Sequence, residues 1–289
     1  MSKESGIIAP EQSDSRYEMS HDLSLILAAV LYVVSAGLLF HAIGKRSERL
    51  QNVAFWLAAG GVLAHALAQY QHWFAGTVPD VSLAPLLSLC ALVIILLLIA
   101  SALSEKRLFT AGLVALPLAA LVVLLELVIP HQPFTLDNLS TGIAVHLVSS
   151  VLAFGLLSIS GVYAFFVFVI DHFLRHHHLN PVVRNLPPLE VLESLLFRLI
   201  GVGFLMLTVS LVSGIVFIND IFAQHLVHKT ILSILTWLIF GVLLFGRWRY
   251  GWRGSVAVRL TLAGVVLLIL SYFGTKLVLE VILGRSWQS

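Results

Sequence analysis

The chain has 289 residues, of which 59% are hydrophobic and only 11% are charged. A soluble domain carries about 25% charged residues, so this composition excludes an ordinary water-facing surface. The 17 Lys+Arg and 15 Asp+Glu leave a formal net charge of +2, which provides no basic field for a nucleic acid.

Met1–Asp22 is polar and mixed in charge. It lacks the short basic start and cleavage site of a signal peptide, and reads as a disordered or surface-lying tail. Residues 23–289 read as one transmembrane domain. A helix needs about 20 apolar residues to cross the hydrocarbon core. Runs of that kind recur at Leu23–Ile43, Val53–Tyr70, Leu83–Leu103, Phe109–Ile129, Gly142–Ile170, Leu199–Ile218, Thr230–Gly246 and Val256–Thr275. The expected fold is all-α, an eight-helix transmembrane bundle in a lipid bilayer.

Direction follows from the Lys and Arg of the short loops, which concentrate on the cytoplasmic side. The first loop holds Lys45, Arg46 and Arg49, and the third holds Lys106 and Arg107. The fifth holds Arg175, Arg184 and Arg198, and the seventh holds Arg247, Arg249, Arg253 and Arg259. Gln71–Ser82 and Pro130–Thr141 have neither residue type, and Asn219–Lys229 has only Lys229. The alternation puts the odd loops inside and both termini on the outer, periplasmic side of a bacterial-type inner membrane.

Two segments read as interfacial. Pro187-Pro188 stops the chain, and Leu189–Phe197 then places apolar residues at helical spacing with Glu190 and Glu193 on another face. That pattern predicts a short amphipathic helix on the cytoplasmic surface. Arg247–Arg253 interleaves arginines with Trp248, Tyr250 and Trp252, as a membrane-interface belt does.

Cys90, the single cysteine, stands in an apolar run and reads as core. Without a C-x-x-C pair the chain carries no dithiol chemistry of its own. No Ser-His-Asp order, Walker loop, H-E-x-x-H or dinucleotide glycine pattern is present, and nothing marks the chain as an enzyme. Acidic residues in mid-membrane, the mark of an ion-coupled pump, are absent. Glu126, Lys276 and Glu280 stand near outer span ends, and Pro117 is the mid-span proline.

The twelve histidines differ in meaning. His176, His177 and His178 form a basic loop cluster, with weak metal binding as the alternative. His21, His41, His72, His131 and His172 sit at span ends and acquire no role. His225 and His228, in the outer loop before the seventh span, either cap a site from above or stand in solvent. His65 and His146 lie inside apolar runs, where an ionisable side chain is costly and marks a functional site. Each is five residues inside the outer end of its span, roughly 7–8 Å deep at ~1.5 Å per residue. Two histidines on separate helices at one depth satisfy bis-imidazole haem ligation, making both candidate metal ligands. The alternative is that each ring satisfies a neighbouring carbonyl or hydroxyl. Gly60, Ala64 and Ala68 beside His65, and Ser149 and Ala153 after His146, have the spacing of close helix packing.

A family resemblance rests on residues of the C-terminal half. The chain reads Leu-Pro-Pro-Leu-Glu from Leu186, then Arg198-Leu-Ile-Gly-Val-Gly-Phe and Leu207-Thr-Val-Ser-Leu-Val-Ser-Gly. Thr236-Trp237-Leu-Ile-Phe and Gly251-Trp252-Arg253-Gly254 follow, and Val145-His146-Leu147 belongs to the same pattern. Together these resemble the CcsA/CcmC-type cytochrome c assembly proteins, most closely their YpjD-like inner-membrane branch. The resemblance implies a membrane protein of cytochrome c biogenesis that binds or handles haem near the outer face, with other assembly subunits as partners. It implies His65 and His146 as haem ligands, with Trp237 and His228 as further cofactor-binding residues. The chain departs from the family where a tryptophan-rich outer segment is expected. Ile215–Leu235 has no tryptophan, and Phe217 stands in place of one. Phe245 replaces a late histidine. What remains is one haem rather than a four-ligand site. The competing expectation is a transport-system or accessory component, for a divalent cation or a small hydrophobic solute, that keeps the fold without haem.

Overall fold

The computed structural model describes residues 10–74, 82–128, 140–175, 187–217 and 224–274. For residues 10–18, 174–175, 224–228 and 273–274 only the backbone is described. The helices are α1 (Pro10–Lys45), α2 (Glu48–Phe74), α3 (Leu83–Ser104), α4 (Gly112–Val128), α5 (Thr141–Arg175), α6 (Leu189–Phe217), α7 (Gln224–Tyr250) and α8 (Ser255–Ile269). A 3₁₀ segment, Lys106–Ala111, leads into α4, and a π turn, Leu270–Gly274, ends α8. No strand occurs among the described residues. Eight helices are long and apolar enough to cross a membrane, as the composition requires. Their outward sides carry large apolar residues, among them Leu63 at 72% exposure and Leu103 at 75%. Water does not tolerate so extensive an apolar surface on a monomer; lipid does.

Three boundaries differ from the sequence expectation. Helix α1 begins at Pro10, so much of the polar N-terminal segment, expected as a disordered or surface-lying tail, is helical. Leu189–Phe197 is no separate surface helix but the first turns of α6. Leu192, Leu196 and Ile200 recur every four residues, all are buried, and no breaker separates them from the span. Likewise, Arg247–Tyr250 completes the last turn of α7. The chain reverses there through Gly251 and Gly254, both at positive φ (68° and 60°) that L side chains avoid.

Packing divides the bundle into two sets that meet along α3 and α5. Helix α1 lies against α2 and α4, and α3 touches α2, α4 and α5. Helix α5 packs on α6 and α8, and α7 on α6 and α8. Tyr32, Ile95, Leu116 and Tyr163 anchor the core of the first set, and Leu157, Phe240 and Leu243 that of the second. Cys90, at 2% exposure, belongs to the second core, as its apolar setting predicts.

Small residues set how closely these helices approach. A Cβ on Gly61 would meet the Tyr32 ring at 2.8 Å. At the expected Gly60 the nearest atom is an ordinary 3.7 Å away. Ala64 and Ala68 of the expected stripe are buried beside Ala54, Ala58 and His65, and Gly61 rather than Gly60 makes the close approach. Between α5 and α6 the register is antiparallel and regular. Gly142 faces Phe217, His146 faces Gly214, and Leu157 faces Gly203. Ser149 and Ala153, expected in a close seam, are both buried.

Candidate functional site

The two intramembrane histidines fall in different sets. His65 is completely buried. Its Nδ1 lies 3.3 Å from the Tyr32 hydroxyl on α1, and its Nε2 lies 2.8 Å from the Ser88 hydroxyl on α3. Both nitrogens therefore have partners from neighbouring helices. Either hydroxyl can donate or accept, so these contacts do not fix the tautomer.

His146 is part-buried at the start of α5, and its Nδ1 lies 2.8 Å from the backbone carbonyl of Ser210 on α6. A carbonyl only accepts, so Nδ1 must be the protonated nitrogen. In the neutral ring, Nε2 then holds the lone pair. This is the arrangement of a metal-ligating histidine, whose second nitrogen donates to a carbonyl or carboxylate. The local sequence makes the ring fit. Gly214 leaves room that a Cβ would take at 3.1 Å from His146 Cε1. The Ser150 and Ser210 hydroxyls bond at 2.6 Å one turn further along.

Neighbouring elements add charge and aromatic surface. Lys229, in the second turn of α7, lies within electrostatic reach of His146. Its ammonium stands 5.4 Å from the centre of the Tyr272 ring, which in turn packs 5.0 Å from Phe154. Lys229 Nζ and the Tyr272 ring give this end of α5–α8 a cation–aromatic pair beside the imidazole.

The other expected site residues are placed as follows. Trp237 on α7 donates from Nε1 to the Thr208 hydroxyl at 2.9 Å and stacks on Phe204 at 5.4 Å. It ties α7 to α6, and these contacts involve neither histidine. His228 lies in the early turns of α7, one residue before Lys229, at the same end as His146. The His176–His178 cluster, Lys276 and Glu280 lie outside the described residues. The hydrogen bonds of His65 run to α1 and α3, and that of His146 to α6. No group of three or more metal-ligating side chains is assembled among the described residues.

Sequence reading missed a second polar cluster, around Glu126 near the end of α4. Its side chain is 2% exposed and lies 3.9 Å from His21 Nε2 on α1. His21 also lies 3.4 Å from Asp22 and 5.9 Å, ring to ring, from His72. Ser88, which holds His65, faces Glu126 without closing a hydrogen bond of ordinary geometry. The available signal was the helical stacking of His21 over Leu25, His72 over Ala68 and Glu126 over Val123. Leu25, Ala68 and Val123 form one buried cluster.

The chain belongs to the cytochrome c assembly protein family, whose family model matches residues 23–283. Inner membrane protein YpjD of Escherichia coli strain K12 is 28% identical over 262 residues, 89% of this chain and 98% of its own. Cytochrome c biogenesis protein CcsA of Prochlorococcus marinus strain MIT 9303 is 34% identical over 95 residues, 32% of this chain and 30% of that one. The protein of the same name from Gloeobacter violaceus is 31% identical over 102 residues, 35% and 30% of the two chains. No solved structure matches the chain.

Proposed function

We propose that this protein is a multi-pass inner-membrane component of cytochrome c assembly that holds haem near the outer end of α5–α8, where His146 would hold its iron. It binds and presents the haem rather than transforming a substrate, and other assembly subunits take part. Its family and its relatives support the biogenesis role. The Lys and Arg pattern supports the orientation.

The observation that carries the ligand assignment is the His146–Ser210 carbonyl bond of 2.8 Å. It leaves Nε2 as an electron-pair donor and fixes the ring plane before any iron arrives. Bound haem would supply an iron that accepts this lone pair and a macrocycle that packs on aromatic surface. Lys229 is the nearby cation suited to a propionate. His228, one residue before it on α7, is a further candidate cofactor-binding residue. His65 does not fit a ligand role as it stands, because either nitrogen would have to abandon its hydroxyl partner inside a closed core. Losing such a partner costs roughly 1–3 kcal/mol for each group left unsatisfied.

The test is haem loading of the purified protein, read by absorption and pyridine haemochrome spectra, beside His146→Ala, His228→Ala and His65→Gln. Loss of the Soret band in His146→Ala, with the band kept in folded His65→Gln, is the expected result. A band untouched in His146→Ala overturns the ligand assignment. No band at all in wild type, with ample haem, overturns the haem reading.

A further inference from the structure

The polar groups around Glu126 form a file that haem binding at His146 does not use. It begins at Asp22, just before the apolar run of α1, and runs inward. The order is Asp22, His21, Glu126, Ser88, His65 and Tyr32, contributed by α1, α4, α3, α2 and α1 again. The separations are 3.4 Å from Asp22 to His21, 3.9 Å from His21 to Glu126, 2.8 Å from Ser88 to His65 and 3.3 Å from His65 to Tyr32. Along α1 the distance from His21 to Tyr32 is about 16 Å at 1.5 Å per residue. The outermost group, Asp22, is 58% exposed, whereas Glu126 is 2% exposed and His65 and Tyr32 are fully buried. One turn below Tyr32 the next hydroxyl, Ser35, is already committed to the Ala54 carbonyl at 2.7 Å. Along α1, the file of described residues therefore ends at Tyr32.

Counting protons gives the file two self-consistent arrangements. With Glu126 ionised, Ser88 turns its hydroxyl hydrogen to the carboxylate and accepts from His65 Nε2–H, while Nδ1 accepts from the Tyr32 hydroxyl. With Glu126 protonated, every bond reverses. Glu126 donates to the Ser88 oxygen, Ser88 donates to Nε2, and His65 Nδ1–H donates to the Tyr32 oxygen. A hydroxyl rotates freely, and a neutral imidazole carries its hydrogen on either nitrogen, so each link permits both states. Both arrangements close the Ser88–Glu126 contact, which is open in the structure. The two states differ by one proton, bound at Glu126 through His21 from the aqueous side. Among the described residues, the titratable groups facing Glu126 and its file are His21 and Asp22 on α1, His72 and His65 on α2, and Tyr32. Helix α3 contributes only the Ser88 hydroxyl.

We propose that this file is a proton-binding site. Glu126 is its buried carrier, His21 is its exchange point with the aqueous phase, and the tautomer of His65 is set by whether Glu126 holds the proton. The two arrangements differ by one proton, so the site stores one.

The experiment uses the full chain, without added haem, in lipid nanodiscs with ¹⁵N-labelled histidine. The two ring nitrogens report the tautomer of His65 directly, and His65→Gln assigns the signals. In wild type the hydrogen is expected on Nε2 at high pH and on Nδ1 at low pH. Glu126→Gln, whose amide donates to Ser88 at every pH, is expected to lock the Nδ1–H form. Ser88→Ala is expected to uncouple His65 while leaving the Glu126 carboxyl infrared band titrating. If Glu126→Gln fails to fold, wild type and Ser88→Ala still decide. One tautomer throughout the wild-type titration overturns the proposal, as does a Glu126→Gln protein that titrates like wild type. Neither outcome bears on haem ligation by His146, because no haem is present.

Discussion

Gly203 is the sharpest available test of the α5–α6 seam that carries His146. A Cβ there would lie 2.8 Å from Leu157 Cδ2, 2.9 Å from its Cγ and 3.2 Å from Leu156 Cβ. Leu157 is fully buried, and its Cγ is a branch point rather than a flexible tip, so the two helices must part. Overpacking of this kind costs about 1–3 kcal/mol. Replacing a helical glycine with alanine returns up to about 1 kcal/mol of propensity. Gly201, two residues earlier on the same helix, has nothing within 4 Å of the position a methyl would take and receives the propensity gain alone. Comparing Gly203→Ala with Gly201→Ala cancels propensity and isolates the steric term. Gly203→Ala should therefore be less stable than Gly201→Ala by about 1–3 kcal/mol, measured by reversible unfolding in mixed micelles. Stabilities within about 0.5 kcal/mol of each other, the range of changes away from packed features, would refute the seam.

The same seam makes Gly214 a positioning residue for His146. Gly214→Ala puts a methyl 3.1–3.2 Å from the ring and should displace Nδ1 from the Ser210 carbonyl. Outer-shell changes of this sort lower metal affinity by about 10–100-fold, and a haem titration of the folded variant measures it. Topology is open to cysteine labelling in a Cys90→Ser background. Glu48→Cys should react with an impermeant thiol reagent only after the cells are opened, and Ser140→Cys should react in intact cells. The opposite pattern would invert the bundle and place His146 at the cytoplasmic end.

The eight-span architecture is legible in the sequence because span length and apolar composition are properties of the chain alone. Where a helix begins is less legible. Pro187-Pro188 suggests the edge of a surface helix, yet Leu192, Leu196 and Ile200 continue one face into the span and the helix never breaks. Site geometry is partly legible. His65 and His146 stand out as costly groups in apolar runs, and both are held by specific hydrogen bonds. Whether they face each other depends on how each helix is rotated and which neighbour it meets. Depth along a span does not encode that. Glu126 escapes notice because, counted along the chain, it is near a span end. Burial by His21 and the ends of α2 and α3 is a tertiary fact.

Ligation of haem iron by His146 Nε2 is tested most directly by the absorption spectrum of haem-loaded His146→Gly, with and without added imidazole. Removing the side chain leaves a space shaped by Gly214 and the Ser210 carbonyl, which free imidazole can occupy. Loss of the Soret band and its return with imidazole is the predicted result. A wild-type spectrum in His146→Gly before imidazole is added would contradict ligation by this ring.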